Sequence, residues 1–316
     1  MPPRWFDGNP RAGIPSIKKG CPPGRGVERP PLIPPSVRNR ILSTLTLWTV
    51  LLGSLWLFGA HAAVAIVTLL ATLTLHEFYG MTVKMGALPF RWMGLCFSVL
   101  MIAGPYCLAY FADEPEMLAD IPAGLLVIAL VICCIRVLGE RTPANRIETI
   151  AATLMGLLYV PFMLHYLVAI LMRDGFEGEN LALALWTIAV SKFCDVGALL
   201  SGMAFGKHKM SPQISPKKTW EGAVGGVLVS MGVGAGIAYF ASAHFSSSLT
   251  PLVAAGMALP IAVLTIISDL MESALKRRAD TKDTGALIPG IGGAFDLTDS
   301  LILTAPLAYF MFQFLE

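Results

Sequence analysis

SDLMESALKRRADTKDTG, Ser268 to Gly285, follows directly on LVAAGMALPIAVLTII, Leu252 to Ile267. Eight of its eighteen residues are charged, in a chain of 316 residues that is 14% charged overall. A second apolar run, Leu301 to Phe314, comes soon after. Such an abrupt change suits the edge of a bilayer, because charged side chains are expensive in hydrocarbon and tolerable at its margin. The stretch therefore reads as the polar connection between two membrane helices, with Asp269, Glu272, Asp296 and Asp299 on either side of it.

The rest of the chain extends that reading. It is 55% hydrophobic, with a mean hydropathy of +0.67, which excludes an ordinary soluble globule. A span needs about 20 predominantly apolar residues. About nine runs qualify, near 41–59, 62–81, 92–112, 121–138, 148–172, 180–203, 222–242, 250–272 and 300–315. Only helices and closed barrels satisfy their backbone in lipid, and the period-two alternation of a barrel is missing. The expected fold is all-α, a polytopic membrane protein of about nine transmembrane helices, with Gly59 and His61 marking a short turn between the first two.

Residues 1–40 differ from the rest. They are rich in proline and carry eight Lys/Arg against two acids, Asp7 and Glu28, so the segment is expected to be a disordered leader. The first apolar run is too long for the core of a cleaved signal peptide and is expected to stay as an anchor. Lys and Arg favour the cytoplasmic side, which puts the N-terminus in the cytoplasm. The connections at 82–91, 139–147, 204–221 and 273–299 then fall on the same side and hold most of the remaining basic residues, whereas 112–120, 173–180 and 243–249 are acidic or neutral. The organisation expected is a leader over 1–40, N-terminal helices over 41–175 and a C-terminal transmembrane region over 176–316. Six scattered cysteines show no metal-binding spacing. A net charge of +2, outweighed by the leader's own +6, gives no reason to expect a nucleic-acid partner.

Ionisable groups within or beside spans mark candidate sites. They are Glu77, Lys192, Asp195, Asp269 and Glu272, with Asp296 and Asp299 opening the last helix. Lys192 and Asp195 are three residues apart, share a helical face and are expected to pair. Two cytoplasmic loops hold the remaining polar content. In FGKHKMSPQISPKKTWEGAVGG, 205–226, lysines at 207, 209, 217 and 218 precede Thr219-Trp220-Glu221, which opens the next helix. The Ser-Pro pairs stiffen this loop, and Gly222, Gly225 and Gly226 suit close helix contact. GMAFGK is one residue short of a phosphate-binding loop and follows no strand. The second loop joins Lys276, Arg277, Arg278 and Lys282 to Asp269, Asp283, Asp296 and Asp299 through the turn PGIGG. Carboxylates for a hard divalent cation beside several cationic side chains are what a polyphosphate transfer needs.

SPKKTWEG (215–222), DVGALLSGMAFGKHK (195–209) and the pattern from Ser273 to Ser300, with LKR, KD, PGIGG and DLTDS, resemble the phosphatidate cytidylyltransferase, or CDP-diacylglycerol synthase, family. The resemblance covers roughly 190–300 by motif and the rest by hydropathy. It implies transfer of CMP from CTP to phosphatidic acid, in the cell (inner) membrane, with Mg2+ as cofactor, a monovalent cation such as K+ as a further option, and a homodimer among the assemblies allowed. Asp269, Asp296 and Asp299 are then the metal carboxylates. Lys217, Lys218, Lys276, Lys282 and Asp283 fall on signature positions, with Lys207, Arg277 and Asp195 near the substrate and Ser215, Thr219 and Glu221 as hydrogen-bonding groups of the first loop. Ile291, Leu297, Met203 and Ser268 stand where the family usually has His, Arg, Arg and Gly.

Three other readings remain open at this level. An ion-coupled transporter would use Asp195, Asp269 and Lys192 as a relay. A CTP-dependent polyprenol or lipid kinase would share nucleotide and metal and differ in the acceptor. A silent scaffold would bind neither.

Overall fold

The computed structural model describes residues 35–112, 120–139, 146–173, 177–281, 285 and 292–315. Its helices are α1 (Pro35–Lys84), α2 (Arg91–Ala112), α3 (Ile121–Gly139), α4 (Arg146–Tyr159), α5 (Pro161–Leu171), α6 (Glu177–Phe205), α7 (Trp220–Phe240), α8 (Pro251–Arg278) and α9 (Ala294–Gln313). The expected leader lies outside the described residues except for 35–40, which already belong to α1.

Seven stretches are long and apolar enough to cross a membrane, making the chain a multi-pass membrane protein. They are Leu52–Lys84, Arg91–Tyr110, Ile121–Gly139, Arg146–Leu171, Gly178–Phe205, Trp220–Phe240 and Pro251–Arg278. The expected count of nine is thus not reached among the described residues. The first two expected runs lie on α1, which is kinked rather than separated at Gly59, where φ is 53° and ψ −127°. That left-handed region suits glycine, which has no Cβ to clash. The run expected over 148–172 is broken in two, because Pro161 cannot continue α4 and instead opens α5 after Val160. α9 begins at Ala294, six residues before its apolar run at 300–315, and carries Asp296 and Asp299 in its first two turns, as expected of residues that open the last helix.

An antiparallel hairpin interrupts the helices, with β1 (Lys209–Ser211) paired to β2 (Ser215–Thr219). A lone two-stranded hairpin is marginal in water, so it depends on the helices it touches. It delivers the chain to α7, where the Thr219 hydroxyl caps the helix by accepting the Gly222 N–H at 3.1 Å.

In lipid, helix association relies on close approach and a few internal hydrogen bonds, since lipid is as apolar as leucine. α6 and α7 follow this rule. A Cβ on Gly226 would lie 2.7 Å from the Cys194 carbonyl oxygen, and one on Gly222 would lie 2.8 Å from that of Ala198. Along the same contact Ser230 Oγ donates to the Val190 carbonyl at 2.9 Å, and Trp186 Nε1 donates to that of Gly234 at 3.0 Å. Many large apolar side chains point outward, among them Trp56, Leu138, Phe240 and Leu252. Among the cysteines, Cys133 and Cys194 are buried fillers, while Cys96, Cys107 and Cys134 are exposed.

Beneath the start of α9, Phe78 of α1, Tyr159 of α4 and Phe295 of α9 form an aromatic triangle with ring centroids 6.0 to 6.3 Å apart. Tyr79 donates to the Thr153 carbonyl at 2.9 Å, and Thr74 and Thr298 share a hydrogen bond of 2.9 Å. These contacts join the N-terminal helices to α9.

Gly226→Ala should cost about 1–3 kcal/mol through overpacking and lower the melting midpoint in detergent. Gly236→Ala, where a Cβ meets nothing within 4 Å, should leave that midpoint unchanged. Equal midpoints for both variants would show that the α6–α7 approach tolerates a methyl group.

Candidate functional site

The C-terminal half of α8 and the first two turns of α9 bring three carboxylates together. One oxygen each from Asp269, Glu272 and Asp299 lies within 4.8 Å of the others. Asp269 and Glu272 are three residues apart and therefore share a face of α8. Asp299 reaches them from α9. Glu272 and Asp299 are buried, and Asp269 is half-buried.

Buried charge needs a partner, and each of the three has a lysine. Lys218 of β2 pairs with Asp269, Lys276 pairs with Glu272 one turn away on α8, and Lys192 of α6 lies 3.4 Å from Asp299. In β2 successive side chains point to opposite faces, so Lys218 turns in while Lys217 is exposed. The Lys192–Asp195 pair expected from spacing is present at 4.0 Å.

Asp296 stands just outside this trio. Its carboxylate turns back on the start of α9, accepting the Gly293 N–H at 2.9 Å and pairing with Lys276. Gly292, with φ 120°, brings its backbone so close to this carboxylate that a side chain would have no room. Where the sequence suggested Asp269, Asp296 and Asp299, the structure therefore groups Asp269, Glu272 and Asp299. The cause is the start of α9: Asp296 falls at a capping position, and Asp299, one turn on, faces α8. The signal for Glu272 was its three-residue spacing from Asp269.

Other candidates hold the scaffold. Glu221 accepts the N–H groups of Lys207 and His208 at 3.1 and 3.2 Å and bonds the His208 ring at 2.6 Å, which fixes the loop after α6. Arg277 Nε donates to the Ile214 carbonyl at 3.2 Å, tying the hairpin turn to α8. Ser215 pairs with Ser211 in the hairpin, and the Lys207 side chain is exposed. Lys282, Asp283 and Ile291 lie outside the described residues. Met203 is exposed and Leu297 half-buried, whereas Ser268 donates its hydroxyl to the Asp299 carbonyl.

Glu77, flagged in the sequence only as an ionisable group, acts at long range. From α1 its two carboxylate oxygens accept the N–H groups of Ala294 and Phe295 at 3.0 and 2.9 Å. Free N–H groups at a helix start carry partial positive charge, and a carboxylate satisfies them well. Glu77 thus anchors the turn that presents Asp296 and Asp299. A separate cavity of about 510 Å³, lined mainly by apolar groups that include Val64, Ala65, Leu69, Val99 and Ala103, shares no residue with the carboxylate site.

A sequence model of the cytidylyltransferase family matches residues 38–315. The chain belongs to the cytidylyltransferase family. It is 30% identical over 231 residues to the phosphatidate cytidylyltransferase of Thermotoga maritima, covering 70% of this chain and 78% of that one. The enzyme of that name from Synechocystis is 29% identical over 295 residues, 86% and 95% of the two chains. The Mycobacterium bovis phosphatidate cytidylyltransferase is 31% identical over 177 residues, 56% of this chain and 55% of that one. The matched segment contains Asp269, Glu272, Asp296 and Asp299 together with Lys192, Lys218 and Lys276. As to a divalent metal, the donors of the trio are all carboxylate oxygens, the hard ligands that such ions prefer.

Glu77→Ala should leave two helix-end N–H groups unpaired and cost about 1–3 kcal/mol, read as a lower melting midpoint and weaker Mn2+ binding in a spin-resonance titration. Glu77→Gln, which keeps acceptor oxygen, should fall between. A Glu77→Ala protein equal to the parent in both measurements would remove Glu77 from the support of the site.

Proposed function

We propose that this protein is a phosphatidate cytidylyltransferase, transferring CMP from CTP to phosphatidic acid to give CDP-diacylglycerol and pyrophosphate. The observation that carries the reading is the meeting of Asp269, Glu272 and Asp299 within 4.8 Å, each facing a lysine, inside the segment matched to the cytidylyltransferase family. Relatives bearing that enzyme's name over most of their length support the same choice of substrates.

In this reaction a phosphate oxygen of the lipid attacks the α-phosphorus of CTP. The new P–O bond forms as the bond to the bridging oxygen of the β-phosphate breaks, and pyrophosphate leaves with that electron pair. No protein nucleophile is required, so the chain's task is to position groups and neutralise charge. Lys218 and Lys276 carry their ammonium groups to phosphate oxygens. Asp269, Glu272 and Asp299 are the groups that would hold Mg2+, which when bound offsets the charge of the triphosphate. Asp296 orients Lys276, Asp195 lies beside Lys192, and the exposed Lys217 and Lys207, with Lys282 and Asp283, extend the polar face toward the nucleotide. Ser215, Thr219, Glu221 and Arg277 hold the hairpin that brings Lys218 inward.

On this reading residues 176–316 carry the catalytic groups and 41–175 buttress them. The site opens to the cytoplasm at the inner membrane, with the N-terminus on the same side, as the distribution of Lys and Arg favours. A homodimer rests on the resemblance alone, as does the option of a monovalent cation such as K+, which gives way where a lysine already supplies the charge.

The decisive experiment is a radiolabelled-CTP assay with phosphatidic acid, with and without Mg2+. Labelled CDP-diacylglycerol should form only when both lipid and metal are present; metal-dependent labelling of a polyprenol instead would make the protein a lipid kinase. Asp269→Ala should abolish turnover while leaving membrane insertion intact, and a normal rate would refute the site. Lys218→Ala should raise the CTP concentration required by about tenfold or more, the loss of one charged contact being worth about 1.5–3 kcal/mol. Unchanged kinetics would show that Lys218 serves only Asp269.

A further inference from the structure

Lys192 lies near the middle of α6, where an ammonium group is costly unless it is well matched. Its surroundings are unusual for a structural ion pair. Nζ donates to Ser300 Oγ at 2.6 Å and to Asp299 Oδ1 at 3.4 Å, and it lies 4.0 Å from Asp195 Oδ2. Two carboxylates from different helices and one hydroxyl thus gather around a single positive charge. Asp299 also contributes an oxygen to the trio with Asp269 and Glu272, so it belongs both to the trio and to the surroundings of Lys192.

We infer that the Lys192 ammonium is a built-in cation, standing where a second, small cation would otherwise be needed beside Asp195 and Asp299. The inference rests on the metal-dependent reading above and deepens it. Across the linked group, Asp195, Asp269, Glu272, Asp296 and Asp299 bring five formal negative charges, and Lys192, Lys218 and Lys276 bring three positive ones. The surplus among the described residues is two negative charges, which one divalent cation balances. Without Lys192 the surplus is three, and one divalent ion no longer suffices.

An ammonium group and a small monovalent cation are both single positive charges satisfied by oxygen ligands. They differ in tether: the lysine is held covalently and cannot be lost by dilution. Lys192 is accordingly a positioning residue that keeps Asp299 oriented toward the trio, and it makes the site indifferent to monovalent salt. Ser191, the preceding residue on α6, donates to Thr304 Oγ1 at 3.2 Å, so α6 and α9 are held in register at this level.

The test compares the parent protein with Lys192→Met, which keeps an unbranched side chain only one atom shorter and removes its charge. Melting midpoints and Mn2+ binding are measured in detergent at fixed ionic strength, in choline chloride and in sodium or potassium chloride; choline is too large to enter. The parent should give the same midpoint and Mn2+ affinity in all three salts. Lys192→Met should melt several degrees lower and bind Mn2+ at least a few-fold more weakly in choline, and recover in sodium or potassium. Lys192→Met with Asp195→Asn restores the charge count and should again be indifferent to the salt. A Lys192→Met protein with no preference among the salts, or a double variant that keeps the preference, overturns the inference. Should Lys192→Met fail to fold in every salt, folding of the double variant supports the inference and its failure overturns it. Neither readout needs turnover. A parent that makes no CDP-diacylglycerol would sink the function, whereas a salt-blind Lys192→Met in an active parent would sink only the role of Lys192.

Discussion

Carboxylates drawn out of water must be matched by cations, and this requirement organises the polar end of the molecule. Asp269, Glu272 and Asp299 converge from two helices, and each meets a lysine from a separate part of the chain: a hairpin strand, the same helix one turn on, and a helix crossing behind. Replacing any of these lysines with an apolar residue would leave a carboxylate uncompensated where the dielectric is low. The pairing therefore couples local choices to the global arrangement. The hairpin must fold so that Lys218 turns in, α6 must pack at the depth that brings Lys192 to Asp299, and α9 must begin where it does.

The apolar remainder serves that arrangement. Glycines on α7 let α6 approach until backbone nearly touches backbone, which sets the depth of Lys192. The aromatic triangle of Phe78, Tyr159 and Phe295 supports α9 from below, and Glu77 holds its first turn from the side. Cations that face carboxylates here are well placed to turn to phosphates when a nucleotide arrives, since both present anionic oxygens of similar hardness.

Much of this was legible in the chain. Runs of apolar residues gave the helices, the Thr-Trp-Glu stretch gave the start of α7, and SPKKTWEG with the Asp-rich stretch before Ser300 pointed to the cytidylyltransferase family. Less legible were features decided by tertiary geometry. Hydropathy could not tell a kink at Gly59 from a turn, because both bury the same side chains. It could not find the break at Pro161, because the apolar run continues through it. Asp296 and Asp299 look equivalent in sequence, yet one sits at a capping position and the other a turn deeper, and only the first residue of α9 decides which reaches the trio. The Glu77 contact spans 217 positions and leaves no local trace.

That last contact bears on how the protein is made. α1 leaves the ribosome well before the stretch that Glu77 grips, which lies 217 positions further on. Until then the glutamate has only water or neighbouring lipid headgroups as company, and the acidic turn it will clasp does not yet exist. The carboxylate cluster is therefore completed only after α9 has been made and has met α1, and a chain truncated ahead of that meeting would enter the bilayer without assembling it.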